Sequence, residues 1–581
     1  MFRTLFVLAL AGAIWLLGDG TRLQAKPNVI VILSDDQGYG DLSCHGNPVL
    51  KTPHLDRLHA QSIRLTDFHV APMCTPTRGQ LLTGMDALRN GASSVTAGRS
   101  LIRPGIVTLP ELFSRQGYKT AIFGKWHLGD SYPNLPQYKG FQDSVIHLGW
   151  GITSIADTWL NDYFDGRFYR NGRLEQFKGY CTDVFFNLSI EWMRERQQKG
   201  EPFFLYLPTN APHGPHWVAE RYSVPYQGKG PAKFFGMISN LDENMGRLDD
   251  FLQQSGLAKN TILVFMNDNG ATAGEKVFNA GMRGRKTTYY DGGHRAICFI
   301  RGPGQSLGNP RNVNYTSQVQ DIYPTLLDLC KLSPSANSRL DGISLAPLLI
   351  DSPGKMPDRK LVVQYGQNPQ KNEACVLWNE WRMVHGTELY NVKDDPGQKQ
   401  NLAERHPEIL RKLQSHYDQW WAGLEHNLGN FVPIVIGSDR QNPVTLTSAD
   451  WANVYCDNMN DLRNGKQVNS HWTILPEKEG TYEIALSRWP TEAKAGLGQS
   501  VPRFQAVDGF LPEGKALPVT QVRLKVGTFD KTITVKPSDL DAKFSLQLRA
   551  GQKLAMQSWL MDVSGKELAG AYFARITRKQ P

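Results

Sequence analysis

The chain has 581 residues, of which 40% are hydrophobic and 20% are charged, and its formal net charge is +9. This composition excludes a disordered chain, a collagen-like fibre and a small disulfide-stapled scaffold, and the length predicts about two to four domains. The positive charge fits an acidic substrate as well as it fits DNA, and because the basic residues form no dense run, no nucleic-acid partner is predicted.

Residues 1–25 have the pattern of a secretory signal peptide. Arg3 precedes an apolar run from Leu5 to Leu17, and the small residue Ala25 offers a cleavage site. The run is shorter than the roughly 20 residues that span a bilayer, with an uncleaved anchor as the alternative. We therefore expect an exported protein, periplasmic or secreted, without stable membrane insertion.

The sequence contains seven cysteines and no CxxC pair. This count gives no support to a thiol zinc site or to thioredoxin-like chemistry. Export permits disulfides, but the spacing indicates no partners, and the odd number leaves at least one cysteine unpaired.

Four short apolar runs predict buried strands in the first half of the chain. They are Val29–Leu33, Thr120–Phe123, Phe203–Leu207 and Ile262–Met266. Runs without polar alternation are typical of strands buried on both faces, as in a mostly parallel sheet covered by helices. Helices are predicted between them at Leu55–Ile63 and Phe234–Gln254, which gives the α/β fold class.

The pattern changes after about residue 355. Helical spacing over His406–Trp421 predicts a packing helix in a small α+β subdomain. From about residue 430, apolar residues such as Val522, Leu524 and Val526 alternate with polar ones, which predicts antiparallel strands. The predicted division is a signal peptide at 1–25, an α/β domain at 26–355, an α+β subdomain at 356–429 and an all-β sandwich at 430–581.

Polar residues of catalytic type follow each of the four apolar runs. In chain order they are Asp35 and Asp36, Lys125 and His127, His213 and His216, and Asp268 and Asn269. Because the carboxyl ends of parallel strands meet at one edge of a sheet, these side chains are expected to converge. The alternative is that each group belongs to an ordinary turn.

Three carboxylates and one amide in this set provide oxygen ligands. They belong to Asp35, Asp36, Asp268 and Asn269, and the set suits a hard divalent cation, with calcium favoured over magnesium. Zinc stays an alternative because histidines lie nearby, although no HExxH or clustered thiol pattern supports it.

The segment from Cys74 to Gly84 carries the most information. Thr75 is a candidate helix cap and Pro76 suits the first helical position, so a helix is predicted to start here and end at Gly84. Cys74 then precedes a helix N-terminus, which favours an anion, and Arg78 lies one turn further on. Taken alone, this pattern fits a thiolate-based enzyme or a buried core cysteine.

The segment Cys74-x-Pro76-x-Arg78-x4-Thr83-Gly84 resembles the signature of the type I, formylglycine-dependent sulfatases. Similar segments occur in family order over about residues 27–425. They are Asp35–Leu42, Gly124–Gly129, Ala211–Pro215, Asn267–Gly270, Lys286–Gly293 and Glu388–Ala403. Two positions depart from the family: Asp291, where Glu is more common, and His294. The resemblance implies an arylsulfatase-like catalytic domain with an alkaline-phosphatase-like α/β sandwich.

The resemblance also implies a modified residue and a metal. Cys74 would be oxidised to Cα-formylglycine by a formylglycine-generating enzyme. One hydroxyl of the aldehyde hydrate would attack sulfur, and the other would lose its proton to expel sulfate, while Lys286 clamps the sulfate. One Ca²⁺ per chain, with Mg²⁺ less favoured, would be bound by Asp35, Asp36, residue 74, Asp268 and Asn269.

The remaining site residues receive roles from the same resemblance. Arg78 and Lys125 would hold the hydrate and neutralise charge. His213 would help to protonate the leaving oxygen, and His127 would be the base for the release of sulfate. His216 is interpreted as a substrate-pocket or structural residue.

Four tryptophans of the 430–581 region allow two interpretations. They are Trp451, Trp472, Trp489 and Trp559. Either they stack on sugars, giving the region an accessory role on polysaccharides, or they form the core of the sandwich. The first interpretation predicts that deletion of 430–581 impairs activity on polymers more than on a small aryl sulfate.

The function predicted from these observations is hydrolysis of sulfate esters, on a sulfated carbohydrate or polysaccharide. A phosphodiester or phosphonate monoester hydrolase is one alternative, because phosphoryl esters fit the same metal and cationic clamp. A sulfated-glycan-binding protein that never acquires formylglycine is the other.

Overall fold

The computed structural model describes residues 26–304, 307–335, 339–350 and 354–579. The predicted signal peptide at 1–25 lies outside these residues. Among the described residues, no helix combines the length and apolar character needed to cross a membrane.

A ten-stranded sheet forms the centre of the first 330 residues. The strands of this part are β1 (Asn28–Ser34), β2 (Ile63–Leu65), β3 (Phe68–His69), β4 (Lys119–Lys125), β5 (Asp143–His147), β6 (Arg167–Arg170), β7 (Arg173–Gln176), β8 (Phe203–Pro208), β9 (Thr261–Asn267), β10 (Cys298–Arg301), β11 (Asn312–Val313) and β12 (Ser317–Gln318). The strand order is β11-β2-β10-β9-β1-β8-β4-β5-β6-β7, and β3 pairs with β12 separately. Strands β9, β1, β8, β4 and β5 run parallel, whereas β10, β6 and β7 add antiparallel pairs towards the edges.

Helices cover both faces of this sheet. The α-helices among the described residues are α1 (Pro53–Ala60), α2 (Cys74–Thr83), α3 (Ala87–Asn90), α4 (Leu109–Arg115), α5 (Cys181–Gln198), α6 (Glu220–Ser223), α7 (Ala232–Gln254), α8 (Asp291–His294), α9 (Ile322–Leu329), α10 (Ala346–Leu349), α11 (Pro407–Ala422) and α12 (Met459–Asn464). Alternate residues of β1 face two separate cores: Val29 and Val31 pack with α2, α4 and α9, and Ile30 and Ile32 pack with α1, α5 and α7. The predicted α/β class is therefore confirmed.

The predicted helix at Leu55–Ile63 is wrong at its C-terminal end. The helix stops at Ala60, and Ile63 begins β2. Strand β2 is only three residues long, so its apolar residues look like a continuation of the helical pattern.

A four-stranded antiparallel sheet follows the α/β part. Its strands are β13 (Leu361–Val363), β14 (Cys375–Trp378), β15 (Trp381–Val384) and β16 (Glu388–Asn391). Helix α11 packs on this sheet through Leu413, Tyr417 and Trp421. The helix agrees with the one predicted at His406–Trp421.

A buried arginine joins this small sheet to the α/β part. Arg382 of β15 contacts Asp67 at 2.6 Å and Asp291 at 3.0 Å. All three side chains are almost fully buried. Burial alone would raise the pKa of Asp291, but the neighbouring charges, of which Arg382 contributes the most, together outweigh burial and lower that pKa to about 2.

Replacement of Arg382 by methionine is expected to lower the free energy of unfolding at neutral pH by about 3–5 kcal/mol, because two buried carboxylates lose their nearest cation and keep the longer contacts to Arg295, at 3.5 and 4.0 Å. The pKa of Asp291 is lower in the folded protein, so this contribution is present above about pH 4 and is lost as the pH falls towards 2. Urea unfolding of both proteins should show the difference narrowing as the pH falls from about 5 to about 3. An equal difference throughout that range would contradict this role of Arg382.

The remaining strands lie between residues 430 and 579. They are β17 (Ile434–Ile436), β18 (Val444–Thr447), β19 (His471–Pro476), β20 (Gly480–Ser487), β21 (Phe504–Gln505), β22 (Phe510–Leu511), β23 (Gln521–Val526), β24 (Phe529–Thr534), β25 (Ala542–Leu548), β26 (Leu554–Met561), β27 (Glu567–Ala569) and β28 (Phe573–Arg578). One sheet has the order β17-β19-β26-β23-β24 with β27 beside β26, and the other has the order β18-β28-β20-β25. Alternate residues of both sheets face one core, as expected for a sandwich.

The tryptophans of this β-rich region belong mainly to that core. Trp451 and Trp472 are 0% exposed and Trp489 is 2% exposed, so sugar stacking by these three is wrong. Trp559 is half-buried, and the guanidinium of Arg523 lies 4.8 Å from its ring.

The β-rich region shares its core with the α/β part. Leu101, Ile155 and Trp159 pack in the same buried cluster as the inner faces of the two β-sheets. Deletion of 430–581 would therefore expose apolar residues of the α/β part. Point substitutions test the effect of this region on activity without exposing the shared core.

Candidate active site

Two successive aspartates lie directly after β1. Asp36 has a positive φ of 67°, which interrupts the alternation of the strand and allows both carboxylates to point into the same cluster. Both side chains are buried. Such a left-handed conformation is unusual outside glycine and is common at functional sites.

Helix α2 begins at Cys74 itself, one to two residues earlier than predicted. Met73 is the N-cap, and Pro76 lies in the first turn. The predicted capping by Thr75 is wrong, because its hydroxyl instead donates to the carbonyl of His127 at 3.1 Å. The helix ends at Thr83 with Gly84 as its left-handed C-cap, as predicted.

The Cys74 sulfur lies within the cluster of charged groups. Its Sγ is 3.5 Å from Oδ1 of Asp35 and 3.3 Å from Nζ of Lys286. Burial raises the pKa of the thiol to about 12, although Lys125 and Lys286 oppose this shift. The unmodified thiol is therefore protonated at neutral pH, which speaks against a thiolate nucleophile.

Three cations neutralise the buried carboxylates. Lys125 Nζ lies 2.6 Å from Asp35, and Arg78 Nη2 lies 2.7 Å from Asp268. Arg78 also donates from Nη1 to the carbonyl of Lys125 at 2.9 Å, and Lys286 forms an ion pair with Asp36. The ends of strands β1, β4 and β9 are thus linked through one charge network.

The oxygen-bearing groups meet as the sequence predicts. The backbone N–H of Asp36 donates to Oδ1 of Asp268 at 3.1 Å, and Nδ2 of Asn269 donates to Oδ1 of Asp36 at 2.9 Å. Oδ1 of Asn269 is buried and has no hydrogen-bond partner among the described residues. Burial and the neighbouring Asp268 charge raise the pKa of Asp35 to about 7. An unpartnered amide oxygen beside crowded carboxylates fits a hard divalent cation.

Two histidines, His127 and His213, line a cavity that reaches Cys74, and each makes a defined hydrogen bond. Nε2 of His127 lies 2.9 Å from the carbonyl of Val95; a carbonyl only accepts, so this nitrogen carries the proton and the buried Nδ1, unpartnered among the described residues, has a free lone pair. Nδ1 of His213 likewise donates to the carbonyl of Gly214 at 2.7 Å. Its Nε2 lies 3.7 Å from Oδ2 of Asp36.

The loop that carries Lys286 is fixed by close backbone packing. Gly270 donates to the carbonyl of Gly293 at 2.9 Å, and a Cβ at position 270 would lie 2.1 Å from the carbonyl oxygen of Gly292. The amide of Thr287 donates to the carbonyl of Pro72 at 2.9 Å. These contacts hold the Lys286 ammonium beside the start of α2.

His216, Asp291 and His294 lie outside the cluster of charged groups around Cys74. His216 packs edge-on against Phe234, with the ring centroids 5.4 Å apart. His294 contacts His69 through their Nδ1 atoms at 2.9 Å, and Asp291 pairs with Arg382. The two departures from the family pattern therefore belong to the junction with the small sheet.

Sequence reasoning gave no function to Trp150 and did not consider His147. His147 is the last residue of β5, a fifth parallel strand, and neither ring nitrogen has a partner among the described residues. Trp150 lies against His213, with the ring centroids 4.9 Å apart, and lines a cavity of about 570 Å³ that reaches Cys74. The sequence feature that could have indicated a role for both residues is their position at, or just after, the end of a strand.

The sulfatase family profile matches residues 27–332. This chain belongs to the sulfatase family. The family inferred from the Cys74 segment is thus confirmed, and the sulfatase is a sulfuric ester hydrolase.

Known relatives support this assignment. The sulfatase is 28% identical over 437 residues to mouse N-acetylgalactosamine-6-sulfatase, covering 69% of this chain and 82% of the relative. It is 29% identical over 462 residues to human arylsulfatase A, covering 68% and 88% of the two chains.

Solved structures show the same fold. The crystal structure of Ps i-CgsB in complex with k-i-k-neocarrahexaose superposes with a TM-score of 0.64 and 24% identity, covering 70% of the sulfatase and 95% of that chain. This likeness confirms the predicted alkaline-phosphatase-like fold.

Proposed function

We propose that this sulfatase hydrolyses the sulfate ester of a sulfated carbohydrate and that residue 74 acts as Cα-formylglycine. The observation that carries the proposal is the position of Cys74, whose Sγ lies between Asp35 and Lys286 at 3.5 and 3.3 Å. One hydroxyl of the hydrated aldehyde would attack sulfur and break the S–O bond to the alcohol, which leaves. Loss of the proton from the second hydroxyl would then release sulfate and restore the aldehyde. Maturation by a formylglycine-generating enzyme is part of this proposal.

The cation proposed for the oxygen cluster is Ca²⁺, with Mg²⁺ less favoured. Its ligands would come from Asp35, Asp36, Asp268 and Asn269, together with residue 74. When bound, a divalent cation polarises sulfate oxygens. Asn269 supports the assignment because its Oδ1 is a buried acceptor without a partner among the described residues.

The cations of the site divide into two groups by their contacts. Arg78 and Lys125 are fully buried and are bound to Asp268 and Asp35, so they would orient residue 74 and balance the carboxylates. Lys286 lies at the cavity lining beside Cys74, where its Nζ would bind a sulfate oxygen.

The two histidines would transfer protons. His127 would accept one from residue 74, and His213 would donate one to the leaving oxygen. Nδ1 of His127 carries a lone pair, so it would accept a proton from a hydroxyl on residue 74. Burial lowers the pKa of His213 to about 3. A bound sulfate ester brings negative charge close to Nε2 of His213, which favours the protonated imidazole and donation to the leaving oxygen.

A carbohydrate substrate is supported by the relatives and by the cavity. The name of the mouse relative specifies an N-acetylgalactosamine 6-sulfate group, and Ps i-CgsB was crystallised with a neocarrahexaose. The cavity of about 570 Å³ that reaches Cys74 lies within the range of ligand-binding pockets.

The proposed function is tested by parallel assays of the purified enzyme. We expect turnover of 4-nitrophenyl sulfate to exceed that of bis(4-nitrophenyl) phosphate by at least about tenfold, because a sulfate monoester offers three free oxygens to Lys286 and the proposed cation, whereas a phosphodiester offers two and carries a second aryl group. A panel of defined sulfated saccharides then identifies the sugar. Preference for the phosphodiester would favour the phosphohydrolase alternative, and binding without turnover would favour a glycan-binding protein.

Ca²⁺ is expected to raise the melting temperature of the protein. At a free concentration of about 100 times Kd, binding to the folded state alone adds about 2.7 kcal/mol to the free energy of unfolding. Differential scanning fluorimetry in Ca²⁺, Mg²⁺ and a chelator measures the shift, and Asp36→Asn should reduce it. An identical melting temperature in all three buffers, in protein shown to be metal-free, would contradict a Ca²⁺ site.

We also propose that the protein is exported. The basic start, apolar run and Ala25 in residues 1–25 support cleavage of a signal peptide and a periplasmic or secreted location. N-terminal sequencing of the mature protein is expected to begin at Lys26.

A further inference from the structure

The cavity above Cys74 has two walls from distant parts of the chain. Residues of the α/β part, including Trp150, His213 and Lys286, form one wall. The β-rich region forms the other wall through Tyr455, Asp457, Asn458, Met459, Asn460, Phe510 and Leu511. This region therefore contributes to the site where the ester must bind.

The segment 455–460 is held in place by backbone contacts with the α/β part. The carbonyl of Asp457 accepts from the amide of Ile155 at 2.8 Å and from Nε1 of Trp150 at 3.0 Å. The amide of Met459 donates to the carbonyl of Thr153 at 3.1 Å. Because both sides share these bonds, the wall is formed before any substrate arrives.

The β21–β22 hairpin is anchored in the same way. Asp508 lies in the turn of this hairpin. Its carboxylate accepts a hydrogen bond from the amide of Val218 at 2.9 Å and forms an ion pair with Lys233 at 2.8 Å. Phe510, two residues later, is thereby placed at the cavity.

Two aromatic side chains of this wall are unusually exposed. Tyr455 is 41% exposed and Phe510 is 54% exposed, whereas Trp451 and Trp472 in the core of the same region are 0% exposed. On the other side, Trp150 is half-buried against His213. Aromatic faces on both sides of a cavity suit a flat apolar surface such as one face of a sugar ring.

The charge of the lining is low outside the catalytic cluster. Among the described residues that line the cavity, Lys286 is the only lysine or arginine, and Asp457 adds an acidic group. Arg503 lies 3.9 Å from the ring of Phe510 but does not line the cavity. A second sulfate or a uronate carboxylate would therefore find no additional cation in this lining.

We propose that the β-rich region forms the leaving-group subsite of this sulfatase and that Tyr455 and Phe510 bind the ring of a neutral sugar carrying a single sulfate. The inference rests on the proposed sulfatase function and adds the substrate class. It gives the β-rich region a role in substrate specificity in place of stacking by its core tryptophans.

Tyr455→Ala and Phe510→Ala, each in the full-length enzyme, test the subsite. The probes are monosulfated hexoses and N-acetylhexosamines, each compared with the same sugar bearing a second sulfate. For the best monosulfated sugar we expect each variant to raise KM by about tenfold, equivalent to about 1.4 kcal/mol, with kcat within about threefold. Phe510→Trp and Tyr455→Phe should keep KM close to the wild-type value.

The inhibition constant of inorganic sulfate separates this effect from damage to the catalytic cluster. It should stay within about twofold in every variant, because sulfate is proposed to bind at Lys286, on the opposite wall of the cavity from Tyr455 and Phe510. Val563→Ala is the surface control, since Val563 is 83% exposed and does not line the cavity. Its KM is expected to match that of the wild type.

Asn460→Lys adds a cation to the cavity lining and tests the preference for a single sulfate. The wild-type enzyme should prefer each monosulfated sugar over its disulfated partner by at least about tenfold in kcat/KM, and the added lysine should narrow that ratio. Turnover of sulfated saccharides with no preference for the monosulfated sugar, or with unchanged KM in both alanine variants, would overturn this inference alone. Turnover of 4-nitrophenyl sulfate without turnover of any saccharide would overturn the inference and the carbohydrate part of the proposed function. Absence of turnover on every sulfate ester, with residue 74 correctly modified, would overturn the proposed function and the inference with it.

Discussion

Replacement of Cys74 by alanine is expected to lower kcat on 4-nitrophenyl sulfate by at least about a thousandfold, because it removes the only side chain proposed to form a bond to sulfur. The fold should persist. Cys74 is small, and the ion pairs around it join Lys125 to Asp35 and Lys286 to Asp36 without involving the sulfur. Initial rates and thermal unfolding of the same preparations measure both parts of the prediction.

Cys298→Ala is the matched control for this experiment. Cys298 is another buried cysteine, located in β10, and it does not line the Cys74 cavity. Its loss should leave kcat unchanged, with a destabilisation of about 1 kcal/mol. Comparable activity in Cys74→Ala and the wild type would show that residue 74 is not the nucleophile.

Replacement of Arg78 by leucine is expected to lower the free energy of unfolding by about 3–5 kcal/mol. Arg78 is fully buried, and it is paired with Asp268 at 2.7 Å and bound to the carbonyl of Lys125 at 2.9 Å. Leucine would leave Asp268 buried without this partner. Arg78→Lys keeps the charge but loses the two-pronged contact, so we expect kcat/KM to fall by about 10²–10³-fold with a smaller change in stability.

Chemical denaturation and steady-state kinetics of both Arg78 variants test these values. Arg523→Leu is the control, because Arg523 pairs with Asp530 at 2.6 Å on the surface of the β-rich region. That exposed pair is expected to contribute less than about 1 kcal/mol. If Arg78→Leu were as stable as Arg523→Leu, the charge network around Asp268 would not support the fold as described.

The sequence was sufficient to predict where the main catalytic candidates meet. Asp35, Lys125 and Asp268 each follow a buried apolar run, and the corresponding strands run parallel and end at one edge. Local pattern and general sheet topology were enough to bring them together.

Other features depend on tertiary contacts that no local pattern encodes. Sugar stacking was considered for Trp451 because it is aromatic, yet the packing of the two β-sheets buries it. No sequence motif marks Tyr455 or Phe510, although they line the cavity about 380 and 436 positions after Cys74. Which aromatic side chain is buried and which is exposed is decided by the packing of distant segments.

The integration of the β-rich region changes how its function should be tested. Its core includes Leu101, Ile155 and Trp159 of the α/β part, and its loops line the cavity. A truncated enzyme would lose stability and a pocket wall together. The substitutions at Tyr455 and Phe510 separate these two effects.

Mass spectrometry of the peptide that contains residue 74, from enzyme that turns over 4-nitrophenyl sulfate, tests the central claim most directly. We expect the peptide to carry Cα-formylglycine, with turnover rising in proportion to the modified fraction. Full activity in protein whose residue 74 is entirely an unmodified cysteine would contradict the account.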